Sequence, residues 1–328
     1  MNDDSSSIIL TQPGATALTQ DLRKAIARVV VGQRAVIEEI IIAFAAAGHV
    51  LLEGVPGLGK TLSARALGAT FGGVFQRIQF TPDLMPADIT GHAVFDAGTS
   101  KFRIRHGPIF THLLLADEIN RAPAKTQAAL LEVMQEQQVT LEGQSKPVPL
   151  PFMVLATQNP IEQEGTYPLP EAQLDRFLLK VLIDYPSEAE EKVLVQQISE
   201  GRVGDALDVS NIKAIADPRQ IIALQQYTAG IRVDSAVADY AVEIVRTTRN
   251  WSGIATGASP RGGIALLRAA RAVAVLAERD FVLPDDVRRV ALPVLRHRIR
   301  LAPDLELEGQ TEDRVLDNMI EQLDAPRQ

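Results

Sequence analysis

Apolar residues change their spacing along this chain and divide it into regions. From Thr19 to about Ala47 they recur at helical intervals, broken at Val29-Val30-Val31-Gly32-Gln33, so two helices flanking a turn at Gly32 are expected. Beyond that point short apolar runs alternate with helical stretches. The runs are His49–Gly54, Val74–Phe80, Leu113–Ala116, Phe152–Thr157 and Phe177–Ile183. Several are apolar at nearly every position, as strands are when a parallel sheet is covered on both faces. Helices are expected at Lys60–Thr70 and Lys125–Gln137. This alternation predicts an α/β domain over residues 19–186, with a doubly wound, mainly parallel five-stranded sheet.

Two segments interrupt the alternation. Gly91–Phe110 carries strand-like pieces at Ala93–Phe95 and Phe102–Ile104 around Ala97-Gly98-Thr99-Ser100, and reads as an inserted hairpin. Val139–Leu141 and Pro147–Leu150, joined across Glu142-Gly143-Gln144-Ser145, read as a second. Tyr185-Pro186-Ser187 closes the α/β region, and Ser187 with Glu190 has capping-box spacing for a new helix. From 187 to 328 the period is helical throughout with no strand pattern, and loops are expected at Gly201–Asp208 and Asn250–Ser259. The second domain is therefore expected to be a small helical bundle. Trp251, Ile264, Leu266, Leu267, Val273 and Leu276 are its expected core. Residues 1–18, polar and Ser-rich, are expected to form a disordered tail.

Composition narrows the function classes. The 328 residues, 46% apolar and 23% charged, suffice for two domains with cores of their own. No apolar run approaches the roughly 20 residues of a membrane span, and Ile40–Ala47 is too short. The acidic, polar start lacks a signal-peptide pattern. Membrane insertion is thus not expected, and the cytoplasm is. With no cysteine, disulfides and thiolate chemistry are excluded, and the five histidines show no metal-ligand spacing. A net charge of −8 makes nucleic acid an unfavourable partner. Arg288, Arg289, Arg296, Arg298 and Arg300 cluster locally and read as a solvated helical face, with subunit contacts as the next reading.

The chemistry begins at Gly54-Val55-Pro56-Gly57-Leu58-Gly59-Lys60-Thr61, a full phosphate-loop pattern between a strand and a helix. Glycines allow backbone N–H groups to wrap a phosphate, and the helix N-terminus favours the anion. Lys60 would neutralise the β- and γ-phosphates of ATP, Thr61 would offer its hydroxyl to magnesium, and Leu62 follows directly behind. The run His112–Glu118 ends in two carboxylates at the edge where ligands of open α/β sheets bind. Asp117 would hold magnesium and Glu118 would polarise the attacking water. A solvated helix cap is the blander alternative for the acids. Asn159, at the tip of the next strand, could bond the γ-phosphate or orient the water; an Asn-Pro turn is its alternative.

These residues resemble AAA+ ATPases, specifically the MoxR family. The resemblance extends over Val30-Val31-Gly32-Gln33, Thr81–Gly91, Asp117–Gln127, Ala156–Pro160, Glu171–Phe177 and Ser259-Pro260-Arg261-Gly262, in order from about residue 19 to 300. It implies that Asn159 is the sensor-1 residue and that Arg176 is an arginine finger acting on a neighbouring subunit's ATP. Such fingers are worth roughly 10³–10⁵ in rate elsewhere. It implies that Arg261 is sensor 2, serving either its own or a neighbour's nucleotide, and that Val31 and Gly32 line an adenine pocket. Ion pairing of Arg176 with Asp175 or Glu171, a surface role for Arg261 and a plain turn at Gly32 are the alternatives. The two hairpins correspond to the family's insertions and are expected at the pore or face of a ring. The expected activity is magnesium-dependent ATP hydrolysis by a homo-oligomer, a hexameric ring, acting as a chaperone-like remodelling factor on protein clients. A von Willebrand factor A domain protein is the partner type the resemblance suggests. A nucleic-acid-stimulated motor and a nucleotide-gated scaffold are the competing classes.

Overall fold

The computed structural model describes residues 8–55, 57–160, 165–199, 209 and 212–326. In chain order the first region contains α1 (Gln12–Ala27), α2 (Arg34–Ala45), β1 (Val50–Gly54), α3 (Lys60–Thr70), β2 (Phe75–Gln79) and α4 (Pro86–Thr90). Next come β3 (Gly91–Asp96), β4 (Lys101–His106), β5 (Leu113–Asp117), α5 (Ala124–Glu136), β6 (Gln138–Leu141) and β7 (Gln144–Pro147). The region ends with β8 (Met153–Gln158), α6 (Glu171–Leu174) and β9 (Leu179–Ile183). The rest is α7 (Glu188–Ser199), α8 (Pro218–Ala229), α9 (Ser235–Thr248), β10 (Ile254–Thr256), α10 (Pro260–Leu276) and α11 (Pro284–Leu295). β11 (Arg300–Leu301), α12 (Pro303–Leu307) and α13 (Glu312–Glu321) complete it.

Five strands form one all-parallel sheet in the order β2-β5-β8-β1-β9. Their side chains alternate between two cores, as a period of two requires. Leu52, Leu113, Leu115 and Leu155 face one, while Leu51, Leu114, Val154 and Ala156 face the other. The first core is shared with α1, α2 and α10, so the helical domain packs on the sheet's own hydrophobic layer. The second is closed by α5 and the hairpin β6–β7. No helix among the described residues is long and apolar enough to cross a membrane.

Several expectations need correction. Residues 12–18, expected as disordered tail, are the first turns of α1; residues 1–7 lie outside the described ones. Pro13 opens the helix, and Thr16 donates to the Val275 carbonyl (3.2 Å), tying it to α10. Its buried stripe begins with the small residues Ala15, Thr16 and Thr19, which give little hydrophobic period. The second hairpin has a two-residue turn, not four. Glu142 (φ 50°) and Gly143 (φ 74°) both take the left-handed conformation of a type I′ turn, which brings the second arm forward to 144–147. The helical domain does contain strands: β10 pairs with β11, both too short for periodicity to register. Gly201–Asp208 lies outside the described residues. Ile264 is 62% exposed, whereas Leu266 and Val273 are buried. Arg298, expected on a solvated face, is only 3% exposed, and Arg296 only 10%.

Where α2 meets the helical domain, burial pushes the Glu39 carboxyl up to about 7 from its ordinary 4.5, against the pull of Arg296 and Arg289; Asp313 and Glu38 add to the rise. Between those two values the folded chain keeps a proton that the unfolded chain has released, so stability falls as pH rises through that window. A displacement of this size corresponds to about 3 kcal/mol. Glu39→Gln is expected to raise the urea midpoint at pH 8 and leave it nearly unchanged at pH 4.5. Equal midpoints for the two proteins at pH 8 would contradict the assignment.

Candidate active site

Gly54 ends β1 against β9. A Cβ there would stand 2.5 Å from the Ile183 carbonyl oxygen, so only glycine lets the chain leave the sheet at this point. Gly57 (φ 88°) and Gly59 (φ 81°) are left-handed, and a Cβ at either would have nothing within 4 Å. The requirement there is conformational, and the open side is the one a phosphate would fill. α3 starts at Lys60, with its N-terminal amides directed at the same space. The Lys60 ammonium donates to the carbonyls of Gly54 (2.5 Å) and Gln158 (3.4 Å), bridging the ends of β1 and β8. Pro56 lies outside the described residues.

β5 delivers the two carboxylates. Asp117 is buried; its Oδ1 accepts from the Thr157 hydroxyl (2.5 Å) and its Oδ2 from Arg77 (Nη2 2.6 Å, Nε 3.1 Å). Glu118 sits in the left-handed region at φ 55°, ψ 50°. For a residue with a Cβ that costs about 1–2 kcal/mol. The turn points the Glu118 N–H at the Thr157 hydroxyl (2.8 Å), while Glu118 Oε2 accepts from Gln79 (2.7 Å) and Arg121 (3.1 Å). Thr157 therefore links the two acids, accepting a hydrogen bond from the Glu118 backbone N–H and donating one to the Asp117 side chain.

A cavity of about 370 Å³ is lined by Gly57, Gly59, Lys60, Thr61, Leu62, Asp117, Glu118 and the buried Asn159, together with Thr157 and Arg65. Gly54 and Leu58 shape the loop from outside this lining, Leu58 packing towards the core. Val31 and Gly32 do not line it either. A Cβ on Gly32 would stand 3.0 Å from that of Pro186 and 3.1 Å from that of Glu190, at the junction leading into α7. Arg65, Arg77, Gln79 and Thr157 were not singled out from the sequence. Arg77 and Gln79 share one face of β2 and meet the acids only because β2 pairs with β5, with Gln79 opposite Asp117. The available signal for Thr157 was a hydroxyl ending an otherwise apolar strand.

Arg176 and Arg261 lie elsewhere. With Asp175, Arg268 and Arg298 they line a second cavity, of about 390 Å³, beside Gly48, His49 and Leu178, which precede β1 and β9. The phosphate loop follows β1, so five residues, roughly 16 Å of strand, separate the two cavities. Arg176 donates to the Leu131 carbonyl (2.6 Å) and leaves its Nε buried without an acceptor. Burial pushes the neighbouring His49 imidazole down to about 4, so it stays neutral, accepting from the Val154 N–H and donating to the Met134 carbonyl. Among the described residues, none that lines the phosphate cavity also lines the arginine cavity.

Residues 49–179 match the profile of the ATPase family associated with various cellular activities (AAA), and residues 246–319 match the AAA lid domain. Chaperone MoxR1 of Mycobacterium tuberculosis is 42% identical, over 96% of this chain and 85% of that protein. The chain belongs to the MoxR family of AAA+ ATPases. Protein MoxR of Paracoccus denitrificans is 33% identical over 88% of this chain and 90% of its own length. A crystal structure of a candidate ATPase from Cytophaga hutchinsonii matches with a TM-score of 0.88 and 38% identity, covering 96% of this chain and 97% of that one. This MoxR-family chain is thus a nucleotide-binding ATPase with an AAA domain and a helical lid.

Replacing Thr157 with Val keeps the volume but strands the Glu118 N–H and one Asp117 oxygen, at about 1–3 kcal/mol. If that cost falls on the positions of the acids, turnover drops about ten- to a hundredfold while nucleotide affinity stays within about threefold. Turnover within twofold of the parent protein, measured by phosphate release, would show that other contacts hold the turn.

Proposed function

We propose that this ATPase works as a head-to-tail ring, hexameric by family resemblance, in which each ATP lies between two subunits. The observation that carries the proposal is the separation of the machinery: phosphate loop and carboxylates at one end of the sheet, Arg176 and Arg261 at the other. A subunit so built supplies half a site on each side. Within one subunit, Lys60 and the amides of the loop hold the β- and γ-phosphates, Glu118 orients and polarises the attacking water, and Asn159 bonds the γ-phosphate or that water. Thr61 and Asp117 offer hard oxygen donors suited to magnesium, which needs few protein ligands because it retains several waters. When bound, that ion neutralises charge on the phosphates. Arg176 from the next subunit meets the charge developing on the γ-phosphate, and Arg261 joins it there.

The work done with this energy is proposed to be remodelling of protein clients in the cytoplasm, in keeping with the chaperone named among the relatives. A partner carrying a von Willebrand factor A domain fits the family resemblance. The hairpin β3–β4 is the candidate contact: Phe95 and Phe102 stack edge-on at its exposed tip, with ring centroids 5.3 Å apart, and Arg103 and Arg105 sit on the opposite face. Nucleic acid is disfavoured by the net charge of −8.

Glu118→Gln is expected to bind ATP with unchanged affinity and to lose at least 99% of turnover, about a hundredfold; loss of binding would refute the role given to Glu118. Arg176→Ala and Lys60→Ala rings should each be inactive, yet mixing them should restore turnover at the sites pairing a Lys60 with an Arg176. Inactivity at every mixing ratio would argue against shared sites. Strong stimulation by DNA or RNA at physiological salt would favour a nucleic-acid motor instead.

A further inference from the structure

Three consecutive residues after α11 bind the segment that carries Arg176. Arg298 donates through Nε to Asp175 Oδ1 (2.7 Å), through Nη2 to the Phe177 carbonyl (2.7 Å), and through Nη1 to the Leu178 carbonyl (3.2 Å). His297 bonds the Phe177 carbonyl (3.1 Å), and Arg296 donates to the Lys180 carbonyl (3.0 Å). The other oxygen of Asp175 faces the start of α10: Ser259 donates to it at 3.3 Å, and Arg261 Nη1 stands 3.8 Å away. Ser259 also caps α10 by accepting from the Arg261 N–H (3.2 Å). One carboxylate thus touches the lid residue that grips the Arg176 segment and the helix end that carries Arg261.

A plain domain staple could be built anywhere along this interface. Here both ends of the contact adjoin the two arginines of the amino-edge cavity. The charges make the arrangement rigid. Burial of Arg298 works against its charged form and the Asp175 carboxylate favours it, so the pair cannot separate without leaving a cation in a dry place.

We propose that Asp175 and Arg298 form a clamp between the ATPase domain and the lid that fixes the spacing of Arg176 and Arg261, so that both reach one phosphoryl group on a neighbouring subunit. They are positioning residues, and the proposal rests on the shared-site reading above. Because Arg298 belongs to the lid, rotation of the lid in one subunit withdraws both arginines from the neighbour's ATP. Lid position in one subunit therefore controls turnover in the next.

The test compares Asp175→Glu and Asp175→Asn in the full-length ATPase. Asp175→Glu keeps the ion pair but moves the carboxylate by one methylene, so a staple would tolerate it. The clamp predicts an unchanged melting temperature, ATP affinity within about twofold, and kcat reduced at least about tenfold, since that carboxylate lines the cavity at the other end of the sheet from the subunit's own phosphate loop. Mixed rings with Lys60→Ala should recover turnover, because the Lys60→Ala subunit offers an intact arginine edge. Mixed rings with Arg176→Ala should not. Parent-like kcat for Asp175→Glu, or loss of its own ATP binding, overturns the clamp. If Asp175→Asn unfolds while Asp175→Glu behaves as predicted, the clamp stands. If Arg176→Ala itself shows no recovery with Lys60→Ala, the shared-site reading fails first and the clamp with it.

Discussion

Burial of both faces of the central sheet is the constraint on which the rest depends. All five residues of β5 are buried, and so are the first five of β8. Such strands have no room for charge along most of their length, so the chemistry is pushed to their ends. At the carboxyl edge this yields the acids, the ammonium of Lys60 and the glycine loop; at the amino edge it yields the arginine cavity. Where charge does lie along a strand it is paired: Lys180 on β9 with Glu53 on β1 at 2.9 Å, and Arg77 on the edge strand β2 with Asp117 at 2.6 Å.

Strain at the carboxyl edge follows from the same constraint. Glu118 must turn out of a strand that ends in a buried aspartate, and it does so in a conformation unfavourable for a residue with a Cβ. The cost is offset locally by Thr157, whose hydroxyl satisfies the turned N–H and braces Asp117. Arg77 and Gln79 hold the outer oxygens of the two acids from a neighbouring strand. Each acid therefore has donors arranged around it by backbone geometry, which keeps its orientation defined.

What the sequence reveals follows the range of each interaction. The phosphate loop is legible because its requirements are local: glycines with positive φ, then a helix start. β5 and β8 are legible because two-sided burial makes them almost continuously apolar. Arg77, Gln79 and Arg65 are not, since each reaches the site only through pairing or helix rotation that no local pattern encodes. The N-terminal turns of α1 are not legible because they pack through alanine and threonine. Arg296 and Arg298 depart from the expected solvated face for a related reason, whereas Arg289 and Arg300 keep to it. Spacing along α11 says which residues share a face, but only the docking of that helix on β9 buries Arg298, just beyond its end, and leaves Arg289 at the surface. Ile264 errs in the opposite direction: it lies on the apolar stripe of α10, yet borders the arginine cavity instead of the core.

Among the described residues the lid shares its core with the sheet, and this connects these observations. α10 packs directly on α1 and α2, in the hydrophobic layer that also covers β1, β5 and β8. A helical domain resting on its own core could pivot while the sheet stayed still. Here any movement of α10 disturbs the layer behind the strands whose two ends carry the two cavities. A proposed ring with heterologous contacts, one subunit's amino edge against the next one's carboxyl edge, transmits that disturbance in a fixed direction. The sheet then serves as a rigid spacer between two sites, and the lid as the element able to change what the spacer presents.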